Sequence, residues 1–305
     1  MKSQIMKRGM KKVSNQDTQV YNDKIKIAVV QMNSLMGEKD KNIDKTINFI
    51  NEAADKRVNL IVFPELCNTG YMFNSRSELF MLAEEIPAGI TVQTWINIAK
   101  EKNIYIVGGI AEREENRIYN SAVIVGPEGY IGTYRKCHLW FKEKLIFDPG
   151  NLNFPVFELP FGRIGIQICY DFYFLEGTRI LALQGADIIV VPTNWPAGVN
   201  TWDKQGYCMG NHRAIVYANA NKVYIACANR VGTERGQMFS GSSIITGPNG
   251  SPITGPAGKD TEEIMIAKLD IMESRRSKYL DLDESLHDRR CDIYDKILGY
   301  PKESK

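Results

Sequence analysis

Short β-branched apolar runs alternate with amphipathic stretches twice along this chain, and that alternation restricts the fold more than any other feature. IKIAVVQM (25–32) is followed by helical periodicity over Lys39–Lys56, which sets Ile43, Ile47, Ile50 and Ala53 on one side. VNLIVFPEL (58–66) is a second buried-strand pattern ended by Pro64, Thr91–Lys102 reads as helix, and NIYIVGGIA (103–111) reads as a third strand. IYNSAVIVGPEGYIGTYRK (118–136) gives two strands around Pro127-Glu128-Gly129, a hairpin. The second half repeats the scheme. FGRIGIQICYD (161–171) is strand, Leu175–Gly185 helix, ADIIVVP (186–192) strand and Trp202–Asn221 a long helix. KVYIACANR (222–230) is strand, GSSIITGPNGSPI (241–253) a hairpin, and EEIMIAKLD (262–270) closes the set. Strands of this kind are buried on both faces, and helices with one apolar side cover them from outside. Two halves of one pattern, each ending in a Gly-Pro hairpin, predict an α/β fold of two stacked sheets with helices outside, a four-layer α-β-β-α sandwich. No linker rich in Gly, Ser or Pro separates the halves, so residues 24–300 read as one domain. Residues 1–23 are polar and unpatterned and read as a disordered, solvated arm.

Composition narrows the function classes. The chain has 305 residues, of which 44% are hydrophobic and 24% charged, which excludes a collagen-like or wholly disordered chain. Its 38 basic and 36 acidic residues leave a net charge of +2, which gives no electrostatic reason to expect nucleic acid or an anionic membrane as partner. No apolar run approaches the roughly 18 to 20 residues that span a bilayer. The basic start has no apolar segment behind it, so it does not read as a secretory signal, and a cytoplasmic location is expected. The six cysteines are dispersed, none at C-x-x-C spacing, and the histidines are His138, His212 and His287. That pattern predicts free thiols and no structural zinc.

Three reactive side chains interrupt the apolar pattern near strand ends: Glu65 after IVFP, Lys136 after GYIGTYR, and Cys169 after GRIGIQI. Taken singly, each has an ordinary reading, as a solvated acid, a surface lysine and a core thiol. Together they deliver a base, a cation and a nucleophile to the carboxyl ends of strands, where open α/β sheets bind ligands.

Around these positions the chain resembles the nitrilase, or carbon–nitrogen hydrolase, superfamily over about residues 25 to 295. Four blocks carry the resemblance in order: VFPELCNTGY (62–71), YRKCHLWFKEKLIFDPG (134–150), GRIGIQICYDFYFLEGTRILALQGADIIVVPTNWP (162–196) and YIACANRVGTERGQMFSGSSIITGPNGSPI (224–253). The resemblance implies the same sandwich fold and a Glu-Lys-Cys triad at Glu65, Lys136 and Cys169, with Glu143 as a second, orienting glutamate. One departure stands after the cysteine, where Leu175 replaces a proline that starts the next helix in many relatives. His138 invites a Cys-His reading, but in the family pattern K-x-H-L it is a scaffold residue.

The residue types fit the chemistry. A free thiol is mostly protonated at pH 7, so Lys136 would favour the thiolate and Glu65 would take its proton. Attack on an amide builds an oxyanion, for which Lys136 and the Tyr170 N–H are the assigned donors, worth about 3 kcal/mol each. Tyr71, Trp140, Phe172, Asn194 and Trp195, with Tyr170, are the candidate pocket residues. The expected activity is cofactor-free hydrolysis of a small amide to ammonia and a carboxylic acid through a cysteine thioester. N-carbamoyl substrates stay open, with Arg179 and Arg230 unplaced. Nitrile hydrolysis is a lesser alternative, because the chain reads Cys169-Tyr170-Asp171 where nitrile-hydrolysing relatives resemble C-W-E. A non-catalytic binding scaffold is the reading from another class, against which the intact triad speaks. The resemblance also implies a homodimer or higher homo-oligomer, paired through residues 175–185 and 272–295.

Overall fold

The computed structural model describes residues 24–276 and 278–298. The arm expected over 1–23 lies outside the described residues. In chain order, the first half contributes β1 (Lys24–Gln31), α1 (Lys39–Asp55), β2 (Leu60–Val62), α2 (Ile90–Lys102), β3 (Tyr105–Glu114), β4 (Arg117–Gly126) and β5 (Gly129–Arg135). The second half contributes β6 (Val156–Leu159), β7 (Gly162–Ile166), α3 (Leu175–Leu183), β8 (Ile188–Pro192), α4 (Met209–Asn221), β9 (Tyr224–Ala228), β10 (Ile244–Thr246), β11 (Pro252–Thr254) and β12 (Glu263–Asp270).

These strands form two six-stranded sheets, ordered β12-β1-β2-β3-β4-β5 and β11-β10-β9-β8-β7-β6. In each, three central strands are parallel (Ile27 opposite Leu60 and Leu60 opposite Tyr105; Ile164 opposite Ile188 and Ile188 opposite Tyr224), and antiparallel strands flank them. Strand alternation sorts the side chains into layers. Ile27, Val29 and Val62 of the first sheet meet Ile164, Ile188 and Val190 of the second in one inter-sheet core. Ala28, Val30 and Ile61 point the other way, onto Ile50 and Ala53 of α1 and Val92, Trp95 and Ala99 of α2. Ile189, Val191 and Ile225 likewise meet Leu181 of α3 and Ala214 and Ala218 of α4. The order of layers is α-β-β-α, as the alternation predicts.

Three local expectations need correction. The strand expected over 161–171 ends at Ile166, and Cys169–Tyr173 is a 3-10 turn. The helix expected from Trp202 begins at Met209, because residues 202–208 form a loop in which Asp203 accepts hydrogen bonds from the amides of Gln205 and Tyr207. An aspartate that satisfies amides in this way competes with helix. The edge strand β6 was not anticipated, since its run between Pro155 and Pro160 is short and bounded by prolines. The Leu175 departure leaves the helix start in place, with α3 beginning at Leu175 itself.

Candidate active site

Glu65 stands just past the end of β2. Pro64 cannot donate to a ladder, so β2 stops at Val62 and the chain is carried on by separate bonds to β3. Phe63 N donates to Val107 O at 2.8 Å, Gly109 N to Pro64 O at 3.1 Å, and Cys67 N to Gly109 O at 2.9 Å. A Cβ at Gly109 would lie 2.5 Å from the Glu65 Cα, so β3 can approach this closely only as glycine. Lys136 leaves β5 in the same manner, with its N–H bonded to Asn120 O and its carbonyl to Gly150 N, both at 2.8 Å. Glu143 comes from the 3-10 turn Phe141–Leu145, where its Oε2 accepts from Trp140 N at 2.6 Å.

Three charges meet here out of contact with solvent. Lys136 Nζ donates to Glu65 Oε1 at 2.6 Å and to Glu143 Oε1 at 2.8 Å, with all three residues buried. Asn120 Nδ2 donates to Glu65 Oε1 at 2.7 Å and lies 3.4 Å from Glu143 Oε1. Two carboxylates share one ammonium, so one of them is under-compensated. Burial pushes Glu65 up to about 7, Glu143 adds to the rise, and Lys136 opposes it. Burial also works against the Lys136 ammonium, but the charges of Glu143 and Glu65 outweigh it and hold Lys136 above its ordinary range. Glu65 Oε2 has no hydrogen-bond partner. An ammonium carries three donors, and the two carboxylates occupy two of them.

Cys169 is delivered from the other sheet. After β7 the chain turns at Cys169 with φ 45°, a left-handed conformation that a residue with a Cβ adopts at a cost. Asp171 holds the turn in place. Its Oδ2 accepts from Tyr134 OH at 2.7 Å and Ile168 N at 3.2 Å, and its Oδ1 accepts from His138 N at 2.8 Å and lies 2.8 Å from His138 Nδ1. Tyr134 and His138 flank Lys136 by two residues on either side, so one buried carboxylate fixes the thiol's turn against the lysine's strand. His138 is thereby committed to scaffolding, and its ring also stacks on Phe174 with centroids 4.1 Å apart. Burial and the charge of Glu65 push the Cys169 thiol up, against the pull of Lys136, so the resting sulfur is protonated. As second residue of its turn, Tyr170 has an amide with no carbonyl one turn earlier to take it.

A cavity of about 300 Å³ opens over Cys169, and Trp140, Tyr170 and Trp195 line it as anticipated. Tyr71 is buried, with its hydroxyl facing Glu143 and in the field of Glu143, Glu65 and Cys169. Asn194 is buried too. Its Nδ2 donates to the Glu65 carbonyl at 2.9 Å, so it braces the acid's backbone, and its Oδ1 is unpartnered. Phe172 departs from the pocket reading. It sits in the core between the second sheet and its helices, edge-on to Tyr217 at 5.3 Å, because the turn at Cys169 breaks the strand alternation that put it beside the nucleophile. Arg230 is buried and paired with Glu234, whose Oε1 accepts from Tyr71 N at 2.7 Å, so it supports the Tyr71 loop from outside the cavity. Asn120 and the bracing role of Asp171 escaped the sequence reading. The available signal was a polar residue inside an apolar strand, as in IYNSAVIV. Among the described residues no group of three or more His, Cys, Asp or Glu is arranged to hold a metal ion.

Comparison with known proteins shows the family to which the chain belongs. Residues 26–279 match the family described as carbon-nitrogen hydrolase. A protein of Pyrococcus abyssi named nitrilase is 41% identical over 271 residues, covering 88% of this chain and 99% of the relative. The N-carbamoylputrescine amidase of Solanum lycopersicum is 32% identical over 279 residues, covering 84% of this chain and 89% of the relative. A carbon-nitrogen hydrolase of Helicobacter pylori superposes with a TM-score of 0.79 at 27% identity, covering 90% of this chain and 98% of the other.

Proposed function

The chain belongs to the carbon–nitrogen hydrolase family, hydrolases of C–N bonds other than peptide bonds, and from that premise we propose that it hydrolyses a small amide through a thioester on Cys169. The observation that carries this reading is the buried Glu65–Lys136–Glu143 cluster, in which Glu65 Oε2 is free of partners while Oε1 is held. The thiol is protonated at rest, so the sulfur attacks the carbonyl carbon as Glu65 takes its proton. The oxyanion meets the third N–H of Lys136 and the Tyr170 amide. Collapse breaks the C–N bond, and protonated Glu65 hands the proton to the leaving nitrogen, which departs as ammonia. Glu65 then takes a proton from water, the hydroxide attacks the thioester, and the sulfur leaves with that proton as the free thiol and a carboxylic acid. A carboxyl near 7 suits a group that must accept and donate in one cycle. Glu143 holds Lys136 in position.

An amide suits the site better than a nitrile. Glu65 Oε2 is a buried acceptor without a donor, and a carboxamide nitrogen offers N–H groups that a nitrile lacks. A carbamoyl group presents the same nitrogen, so N-carbamoyl compounds are within this reading. The test is ammonia release from primary aliphatic amides, N-carbamoyl compounds and the matching nitriles, with Cys169→Ala as control. The amides or carbamoyl compounds should be turned over fastest, and the variant should lose at least 10³-fold. Equal release by the variant, or faster turnover of the nitriles, overturns the reading.

We place the protein in a reducing, cytoplasmic setting, because all six cysteines are unpaired. No helix among the described residues is long and apolar enough to cross a membrane. Pairing of two copies through α3 and residues 272–295 fits their exposed apolar residues Leu175, Ile180, Leu183, Met272, Leu282 and Ile293.

A further inference from the structure

The chain leaving β8 is tied down residue by residue as it passes the reacting atoms. Thr193 N donates to Ala228 O, Asn194 Nδ2 to the Glu65 carbonyl, and Trp195 N to Asn229 Oδ1, each at 2.9 Å. Asn194 braces the acid and Trp195 walls the cavity, which leaves Thr193 without a role. β7 and β8 run parallel, with Ile164 opposite Ile188 and Ile166 opposite Val190, and Gln167 N continues the ladder to Val190 O at 3.1 Å. Carried on from Ile166 and Val190, that register sets Thr193 abreast of Cys169. Thr193 is fully buried and does not line the cavity. Its Oγ1 bonds no nitrogen or oxygen of the described residues. Other buried threonines use theirs, Thr46 on Ile43 O and Thr178 on Gln167 Oε1, both at 2.7 Å. The group that the Thr193 hydroxyl faces is the Cys169 sulfur, whose ionised form it favours. A β-branched side chain has few rotamers, so that direction is held. A neutral thiol is a weak acceptor, and a thiolate is a strong one.

We propose that Thr193 is a further catalytic residue, whose hydroxyl donates a hydrogen bond to the Cys169 sulfur whenever that sulfur carries negative charge. It serves twice in a cycle. As Glu65 takes the thiol proton and the S–C bond forms, the hydroxyl steadies the charge building on sulfur. When hydroxide has attacked the thioester and the C–S bond breaks, the electron pair returns to sulfur and meets the same donor until the proton follows. Thr193 keeps its own proton throughout. Glu65, Lys136 and Glu143 reach the sulfur from the first half of the chain, whereas Thr193 reaches it from the nucleophile's own sheet. Glu65 and Glu143 oppose ionisation of the thiol, Lys136 favours it, and Tyr71 shares their field. All four are kept in the variants below, so a change in thiol reactivity reports the hydroxyl. The assignment rests on Cys169 being the nucleophile, as proposed above, and adds a donor to it.

The test is alkylation by iodoacetamide between about pH 6 and 9, read at the Cys169 peptide by mass spectrometry so that the other cysteines do not count. Thr193→Val keeps the shape and removes the donor. Its Cys169 should be alkylated about tenfold more slowly than wild type at each pH, the scale of a hydrogen bond to a charged atom. Thr193→Ser, which returns the hydroxyl without the methyl, should recover most of that rate. A packing role predicts the opposite order, with Thr193→Val like wild type and Thr193→Ser impaired. That order, or a Thr193→Val rate equal to wild type, overturns the inference. In hydrolysis of any amide the protein turns over, Thr193→Val should lower kcat about tenfold and leave KM unchanged, because the hydroxyl lies outside the cavity. A raised KM with kcat kept overturns it too. If wild type hydrolyses no amide yet is alkylated at Cys169, the amide reading fails and the alkylation order still judges Thr193. If Cys169 resists alkylation in wild type, both fall. Should Thr193→Val fail to fold, Thr193→Ala takes its place, and equal rates for Thr193→Ala and Thr193→Ser overturn the proposal.

Discussion

The two sides of Cys169 are built on opposite principles. Behind it, Glu65, Lys136, Glu143 and Asn120 are all buried and bonded to one another, and glycines at 109 and 150 let the backbone close around them. In front, the cavity wall is aromatic and aliphatic, with Tyr173 56% and Met209 61% exposed, and it continues into a loop where Val199 is fully exposed. Fixed charges in a water-excluded setting stabilise developing charge without reorganising, so the rear cluster is suited to the chemical step. A wall with fewer hydrogen bonds can change shape and residue type without disturbing that step, which suits it to substrate choice. In the proposed reading, then, proton transfer belongs to the buried cluster behind Cys169 and substrate choice to the cavity wall in front of it.

The sharpest way to break that division is Glu65→Gln, which keeps shape and removes the proton acceptor. Ammonia release should fall at least 10³-fold. The same variant carries a stability signature with a definite sign. The folded-state carboxyl stands at about 7, above its ordinary value of 4.5. The folded state therefore holds a proton that the unfolded chain has released between those values, and this contribution is lost as pH rises through 7. Thermal unfolding should show Glu65→Gln gaining a few degrees over wild type at pH 8 relative to the difference at pH 5. A gap between the two proteins that does not change with pH would show that Glu65 is not a buried acid of this kind.

Asn120→Leu should act more mildly on the same side, lowering kcat/KM about 10- to 100-fold. Its amide favours the ionised form of Glu65, so its loss raises that carboxyl further, and the acidic limb of the pH profile, near 7 in wild type, should move to higher pH. A loss of rate with an unmoved limb would make Asn120 a packing residue. The smallest effect is expected in front. Trp140→Ala should raise KM several-fold more than it lowers kcat and reorder the ranking of amide chain lengths. If it instead lowered kcat as strongly as Asn120→Leu, the division between the two sides would not hold.

The strand–helix alternation was legible because side-chain periods of two and 3.6 are local properties, and the inter-sheet core follows them residue by residue, as with Ile27 and Val29 against Ala28 and Val30. Glu65, Lys136 and Cys169 were legible because each interrupts such a pattern at a strand end and stands inside a recognisable block. The start of α4 was not, since apolar periodicity cannot announce that Asp203 will satisfy two amides and keep residues 202–208 out of the helix. Phe172 was misplaced for a related reason, because the left-handed turn at Cys169 decides which way the next residues face. Asn120 and Asp171 became functional only in three dimensions. Asn120 lies 55 positions from the glutamate it holds, and Asp171 reaches 37 positions back to Tyr134. By itself the sequence determined the layers and the reactive residue types. Tertiary structure decided the setting of Glu65, whose carboxyl is raised by burial and by Glu143 sharing its lysine. It likewise decided that Arg213, unremarkable on its helix, is the one charged residue that lines the cavity among the described residues.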